Sequence, residues 1–322
     1  MEILKSNSEN IQRAVNELRA GSLVAFPTET VYGLGADGFN KIAVAKIFEA
    51  KERPSFNPLI LHVSSTEMLS NIAEHSNFKI NLLIEKFWPG PLTLVLKKKK
   101  VVPYLVTSGL ETVAVRMPNN RVALELINKL GKPIAAPSAN TFSHLSPTRA
   151  EHVAKQLGKK VNIILDGGSC DVGVESTIIE LTGKSQFLLR PGGITKEEIE
   201  SVIGKLQTKS GEVNLPNSPG QLHIHYAPNI PLQFYDEEKV SLGKNKKLGG
   251  IFFSKIKYKE NFTVTKVLSP DGDFREAASN LFAFLHEFEN LGLDMIFVEP
   301  IDKKGLGIAI MDRLTKAVNK YL

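Results

Sequence analysis

The sequence is poor in the residues and motifs on which many enzymes are built. Among 322 residues there is one cysteine, Cys170. No intrachain disulfide can form, and no thiolate cage can hold a metal. With no base evident beside it, a lone cysteine reads as a bystander rather than a nucleophile. The single tryptophan, Trp88, lies in Trp88-Pro-Gly-Pro91. A buried aromatic beside a turn is the commoner reading of such a residue, and a base-stacking ring the rarer one. Aromatics are not interleaved with the basic residues, so no platform for single-stranded nucleic acid is built. No apolar run approaches the length of a membrane span. MEILKSNSENIQRAV lacks the apolar core of a signal peptide and reads as a short strand and a helix, so the cytoplasm is the expected location. There is no Gly-x-x-x-x-Gly-Lys-Ser/Thr loop and no Gly-x-Ser-x-Gly elbow. No carboxylate pair or Cys–His pair offers itself.

What is present is an ordinary globular composition, 42% hydrophobic and 23% charged, in a chain long enough for two domains. The net charge of +6 permits contact with nucleotides or nucleic acid without proving either. Two lysine groups, Lys97 to Lys100 and Lys239 through Lys259, read as a solvated hairpin tip and a solubilising surface.

The richest stretch is Phe26-Pro-Thr-Glu-Thr-Val-Tyr-Gly-Leu-Gly35, a short helix, then Lys51-Glu-Arg-Pro-Ser-Phe-Asn-Pro-Leu-Ile-Leu-His-Val63. Ser22 to Phe26 reads as a buried strand stopped by Pro27. Gly33 and Gly35 read as a tight turn. Asn40 to Ala50 has helical spacing, and a helix should stop before Pro54. Leu59 to Val63 is the next strand. This order brings hydroxyls, Lys51 and Arg53 towards one sheet edge, which suits a substrate with phosphates. A solvated loop with chance charges fits the local chemistry equally well.

Further along, Thr112-Val-Ala-Val-Arg116 alternates as a strand, with Thr112, Ala114 and Arg116 on one face. A buried Arg116 would need an acidic partner or an anionic ligand. Pro133 to Pro137 is a small-residue strand running into Ser138-Ala-Asn140, where a ligand could approach the backbone closely; an ordinary turn is the plainer alternative. Ser146-Pro-Thr-Arg-Ala-Glu151 has the pattern of a capped helix start, which offers N–H groups to a phosphate. Asp166-Gly-Gly168 reads as a turn rather than a metal site. Ser176 and Thr177 sit at the mouth of another strand, and Arg190 ends the strand that starts at Phe187.

Thr195 to Ile203 closes a first domain, 1–205, predicted as a twisted mixed sheet flanked by helices. Residues 206–231 form a stiff linker with Gly211, Pro216, Pro219, Gly220, Pro228 and Pro231. His223 and His225 within it lack companions for a metal site. Residues 232–322 return to a β/α pattern, and Gly305-Leu-Gly307 is only a weak dinucleotide signal. Cations at strand and helix ends, accompanied by Ser138, Asn140 and Ser176, suggest an anion site. An enzyme that positions and neutralises, as chemistry at phosphorus requires, fits this inventory.

PTETVYGLG with KERPSFNPLILHV, then Ser138-Ala-Asn140, Gly173-Val-Glu-Ser-Thr-Ile178 and Arg190-Pro-Gly-Gly193, resembles the threonylcarbamoyl-AMP synthase family in its long, two-domain form. The resemblance runs from about Gly21 to the C-terminus. It implies a Rossmann-like C-terminal domain and a linker folding over the active site. It also implies synthesis of L-threonylcarbamoyl-adenylate and pyrophosphate from L-threonine, bicarbonate and ATP, with Mg²⁺ held mainly by the ATP phosphates. This is the first step of threonylcarbamoyladenosine modification of tRNA, completed by a separate transferase complex.

By motif position the resemblance assigns Arg53, Asn57, Thr112, Ser138, Ser146, Arg190 and Tyr226 to ATP. It assigns Thr30, His62, Arg116, Ala136 (through its backbone) and Ser176 to threonine. Lys51, Arg53 and Asn140 are implied as the catalytic set, with no protein metal ligand. The linker text Gln221-Leu-His-Ile-His225 departs from the family's commoner Met-Lys/Arg type, which leaves the role of its histidines open. One alternative is a double-stranded RNA-binding module without catalysis, or weak RNA binding beside it. A second is a carbamoyl-transfer enzyme of hydrogenase maturation, whose thiolate zinc fingers a single cysteine rules out.

Overall fold

The computed structural model describes residues 1–183, 185–208, 218–242, 246–257 and 259–322. Gly211 and Pro216 of the expected linker, and 243–245 and 258 of the lysine-rich stretch, lie outside them.

The first half of the chain opens with β1 (Glu2–Lys5), α1 (Ser8–Arg19), β2 (Val24–Phe26), β3 (Gly33–Asp37) and α2 (Lys41–Lys51). It continues with β4 (Ile60–His62), α3 (Thr66–Ile72), α4 (Phe78–Phe87), β5 (Leu92–Lys97), α5 (Tyr104–Thr107) and β6 (Thr112–Arg116). Then follow α6 (Arg121–Leu130), β7 (Ile134–Ala135), α7 (Ala150–Leu157), β8 (Ile163–Asp166), β9 (Thr177–Glu180), β10 (Phe187–Arg190), α8 (Lys196–Ile203) and β11 (Gln207–Thr208). These strands form an 11-stranded mixed sheet in the order β1-β8-β2-β3-β7-β4-β6-β5-β9-β10-β11. The sheet therefore runs on past residue 205.

Side chains alternate across a strand, and the two faces of this sheet are covered differently. Leu61, Val113, Val115, Leu94 and Leu96 share one core with Val44 and Ile47 of α2, Leu83 of α4, Val153 of α7 and Ile199 of α8. On the opposite face, α1 and α6 bury Val15, Leu18, Leu126 and Ile127 against Val24, Phe26, Ile163 and Leu165. That cover spans only part of the sheet. Over β4, β6, β5 and β9 it gives way to a small cluster of Ile60, Ala114, Val95 and Ile178. This is the stretch over which the pocket opens.

Two local expectations are corrected. Gly33 and Gly35 make no tight turn; they lie in β3, which pairs antiparallel with β2. A Cβ at Gly35 would come within 2.8 Å of the Phe26 ring and 2.9 Å of Ile134 Cγ2. The glycines make room for Phe26 rather than bend the chain. Gly35→Ala is expected to cost about 1–3 kcal/mol through overpacking, read as a lowered urea midpoint at unchanged slope; an unchanged midpoint would refute this account. The second correction concerns Ser146. It does not cap the following helix, which begins at Ala150 with Arg149 at the cap position and no side-chain cap bond. Ser146 instead donates its hydroxyl to Glu175. By contrast Thr195 and Glu198 form a reciprocal capping box at α8.

The second half comprises β12 (Leu232–Phe234), α9 (Glu237–Leu242), β13 (Leu248–Phe252), β14 (Val264–Val267), α10 (Phe274–Phe288), β15 (Met295–Val298) and α11 (Gly307–Val318). Its 4-stranded sheet, in the order β12-β15-β13-β14, is wholly parallel. The core of this half does not stop at its own elements. Leu145, Val174, Tyr226 and Ala227 pack in the same apolar cluster as Phe282, Leu285 and Leu314. Gly173 makes the approach possible: its φ is +72°, and a Cβ there would lie 2.4 Å from Ser279 Cα on α10.

Candidate active site

The central loop between β2 and β3 is tied by its hydroxyls. Thr28 Oγ1 lies 2.8 Å from Thr30 Oγ1 and donates to the Val31 carbonyl at 2.6 Å. Pro27 cannot extend β2, so the chain leaves the sheet and presents this loop at the strand ends. Beside it β6 delivers Arg116, buried as the alternation requires. Its Nη1 donates to Thr30 Oγ1 at 2.9 Å, and its Nη2 lies 2.7 Å from Glu29 Oε2. A buried guanidinium without an ionic partner would be costly, and Glu29 supplies that partner. His62 lies on the neighbouring strand β4. Burial and then the Arg116 charge push its pKa down to about 3, so the imidazole is neutral.

A second cationic group comes from the end of α2. The helix closes at Glu52, which adopts a left-handed conformation (φ 55°). Arg53 follows and is folded onto its own loop. Its Nε donates to the Asn57 carbonyl at 3.0 Å, and its Nη2 to Asn57 Oδ1 at 2.6 Å and to the Pro58 carbonyl at 2.8 Å. Burial pushes its pKa down to about 9, still cationic at neutral pH. Lys51 points elsewhere. Its ammonium donates to the carbonyls of Ser138 (2.6 Å) and Asn140, and lies 3.3 Å from Asn140 Oδ1. It is fully enclosed, and burial, followed by the Arg53 charge, drives its pKa well below that of a free lysine.

Arg190, at the end of β10, donates from Nε and Nη2 to the Ser176 carbonyl at 3.1 and 2.8 Å, and from Nη2 to Ser176 Oγ at 3.1 Å. Ser176 Oγ is also 2.7 Å from Thr93 Oγ1.

These groups line one pocket. Its wall includes Thr30, Arg53, His62, Arg116, Ala136, Ser138, Ser176, Arg190 and Tyr226. The empty space between these side chains is about 540 Å³, part of it open to solvent. Nine of the fourteen residues singled out from the sequence therefore meet on one surface. Lys51, Asn57, Asn140 and Ser146 stand behind that wall and hold it. Thr112 does not join them: it lies at the opposite end of β6 from Arg116, paired with Lys97. Trp88 is buried and donates from Nε1 to the Leu92 carbonyl at 2.7 Å. Asp166 holds its turn by accepting from the Gly168 N–H at 2.9 Å.

The roof comes from later in the chain. Pro219, Gly220, His225 and Tyr226 reach the pocket, and Lys316 of α11 grips this segment by donating to the Gly220 carbonyl at 2.7 Å. Three functional neighbours were not foreseen: Glu29, Glu175 and Arg313. The two glutamates lie inside quoted motifs, and their burial was the missing information. Arg313 carried no local signal.

A mixed α/β sheet that buries three guanidinium groups, hydroxyls and small residues in one pocket defines an enzyme for small anionic substrates. Comparison with known proteins agrees. A family model described as "Telomere recombination" matches residues 16–192, and one described as "Threonylcarbamoyl-AMP synthase, C-terminal domain" matches 194–318. The chain is 44% identical to a threonylcarbamoyl-AMP synthase of Pyrococcus abyssi, covering 95% of this chain and 93% of that protein. It is 42% identical to one of Bacillus subtilis, covering 98% and 94%. The crystal structure of P. abyssi Sua5 complexed with L-threonine superposes with a TM-score of 0.92 at 42% identity, covering 99% of this chain and 98% of that one. The chain belongs to the threonylcarbamoyl-AMP synthase family.

Proposed function

We propose that this pocket joins L-threonine, bicarbonate and ATP into L-threonylcarbamoyl-adenylate, releasing pyrophosphate. The observation that carries the reading is the pairing of Arg116 with Thr30 in the same buried wall as Arg53 and Arg190. One cation suits the threonine carboxylate and the other two suit phosphates. Thr30, neutral His62, Ser176 and the backbone at Ala136 complete the amino-acid end. Ser138, Tyr226 and, from behind the wall, Asn57 and Ser146 complete the nucleotide end. Thr112 is not among the lining residues, and its assignment to the nucleotide rests on motif position alone. Lys51 and Asn140 serve by fixing the Ser138 loop.

The threonine amine adds to CO₂ derived from bicarbonate and loses a proton, giving an N-carboxylate. An oxygen of that carboxylate forms a bond to the α-phosphorus, and the bond to the bridging oxygen breaks, so pyrophosphate carries away the electron pair. Arg53 and Arg190 are placed to neutralise charge on the phosphates as it shifts to the leaving group.

Mg²⁺ fits this chain only as a companion of the nucleotide. Glu175 lines the pocket and Glu29 stands behind it, and each is tied to an arginine. The described residues contain no cluster of His, Cys, Asp and Glu to hold a metal, so the metal is assigned to phosphate oxygens and water. The product would pass to the tRNA threonylcarbamoyl transferase complex, with the cytoplasm as the place of work. No described helix is long and apolar enough to cross a membrane. The duplex-RNA reading finds no footing in the geometry. Arg53, Arg116 and Arg190 are 7%, 4% and 4% exposed, too enclosed to track a phosphate backbone.

The test is pyrophosphate release from ATP with bicarbonate and Mg²⁺, with and without L-threonine, using serine as control. Threonine-dependent release and an adenylate of the expected mass are the expected result. No threonine dependence, together with salt-sensitive binding to duplex RNA, would overturn it.

A further inference from the structure

The pocket carries a charge of the wrong sign for a phosphate site. Glu175 is 6% exposed, lines the wall, and stands near Arg190. A buried carboxylate beside a buried guanidinium would ordinarily pair with it, and the guanidinium would then offer a polyanionic phosphate less net charge. That pairing is absent among the described residues. Arg190 spends Nε and Nη2 on Ser176. Glu175 is held by others: Ser146 donates to Oε1, and Arg313 Nε donates to Oε2 at 2.7 Å.

Arg313 lies on α11, in the second half of the chain, and is 1% exposed. Its Nη1 meets Asp312 Oδ2 at 2.6 Å, and its guanidinium stands 5.0 Å from the centre of the Tyr226 ring. A single side chain from the C-terminal half thus touches both an acidic wall residue and the aromatic roof. Burial acts to raise the Glu175 pKa, but Arg313 first and Arg190 second hold it below the ordinary carboxylate value. The carboxylate stays ionised, and its charge must be answered by one arginine or the other.

We propose that Arg313 is a positioning residue for the nucleotide end of the pocket: by engaging Glu175 it leaves Arg190 free for phosphate and seats Tyr226 over the site. This rests on the reading of the pocket as an ATP site. It gives the C-terminal half a direct part in substrate binding, through one ion pair whose partners are 138 residues apart. When Arg313 is lost, Glu175 takes Nη1 of Arg190 as its partner while Nε and Nη2 stay on Ser176, so the nucleotide end loses a cation and the threonine end, built on Arg116, Thr30 and Ser176, is untouched.

The experiment compares wild type, Arg313→Gln and the double variant Glu175→Gln/Arg313→Gln. It measures the KM for ATP by pyrophosphate release, the Kd for L-threonine by calorimetry without nucleotide, and thermal melting. Arg313→Gln is expected to raise the ATP KM at least tenfold and to change the threonine Kd by less than twofold. Neutralising Glu175 as well should bring the ATP KM back down at least fivefold from that of the single variant, because the competing charge is gone. An unchanged ATP KM in Arg313→Gln would overturn the proposal. So would a parallel rise of ATP KM and threonine Kd, restored together in the double variant with the melting temperature, since that is the signature of a purely structural pair. Failure of the double variant to lower the ATP KM would overturn the charge-competition account. A wild-type enzyme without threonine-dependent pyrophosphate release would fail the functional reading itself, and is told apart by that control.

Discussion

Arg116→Ala is expected to lower kcat/KM for L-threonine by about 10²–10⁴-fold. The magnitude follows from what the side chain offers a carboxylate. Hydrogen bonds to charged groups contribute about 1.5–3 kcal/mol each, a two-pronged contact doubles this, and each ~1.4 kcal/mol is a factor of ten in rate. A stability cost comes with it. Glu29 now has Arg116 Nη2 at 2.7 Å, and removing the arginine strands a buried carboxylate, which costs about 3–5 kcal/mol. Arg116→Lys separates the two effects. The lysine keeps a cation near Glu29 but cannot fork onto a carboxylate, so it should recover much of the melting temperature and little of the activity. Threonine saturation curves and melting curves of the two variants check this. Activity within tenfold of wild type in Arg116→Ala would remove Arg116 from the amino-acid site.

The second large effect concerns the phosphates. Arg53→Ala and Arg190→Ala are each expected to cut kcat by about 10²–10³-fold, the range seen when one preorganised charge-stabilising group is lost. Arg53 is held by Asn57 and Pro58, and Arg190 by Ser176. Neither needs to reorganise when charge moves to the leaving pyrophosphate, and that is why the losses should fall on turnover. Threonine binding without nucleotide should change little in Arg53→Ala, because Arg53 does not touch Arg116 or Thr30. Arg190→Ala also frees Ser176, so a modest loss of threonine affinity is expected there. Single-turnover pyrophosphate release is the measurement, and near-normal turnover in both variants would sink the assignment.

The legible parts of this molecule are those whose physics is local. The alternation of Thr112 to Arg116, the helix spacing from Asn40 and the stop before Pro54 each act over a few residues, and each element formed within a residue or two of its predicted place. The illegible parts are those decided by a distant partner. Gly33 and Gly35 suggested a turn because glycine lets the backbone turn tightly, yet the Phe26 ring across the ladder supplies the side chain that they lack. Ser146 has a helix-cap pattern, but a buried Glu175 outbid the helix for its hydroxyl. β12 follows directly on Pro231 and is three residues long, too short to show a period. Nine motif residues pointed to one pocket. The two glutamates that neutralise or burden it, and the arginine from α11, could be found only once burial was known.

Gly173 carries a last consequence. Where a bare backbone lets α10 settle onto the loop before β9, the boundary between the halves is no seam at all. Leu145 and Val174 belong to the early part of the chain but spend their apolar surface in the core of the late part. Cutting between the halves would leave a greasy scar beside the pocket, and so the two were shaped as one body: the part that holds the substrates is finished, like an arch, by the stone set last.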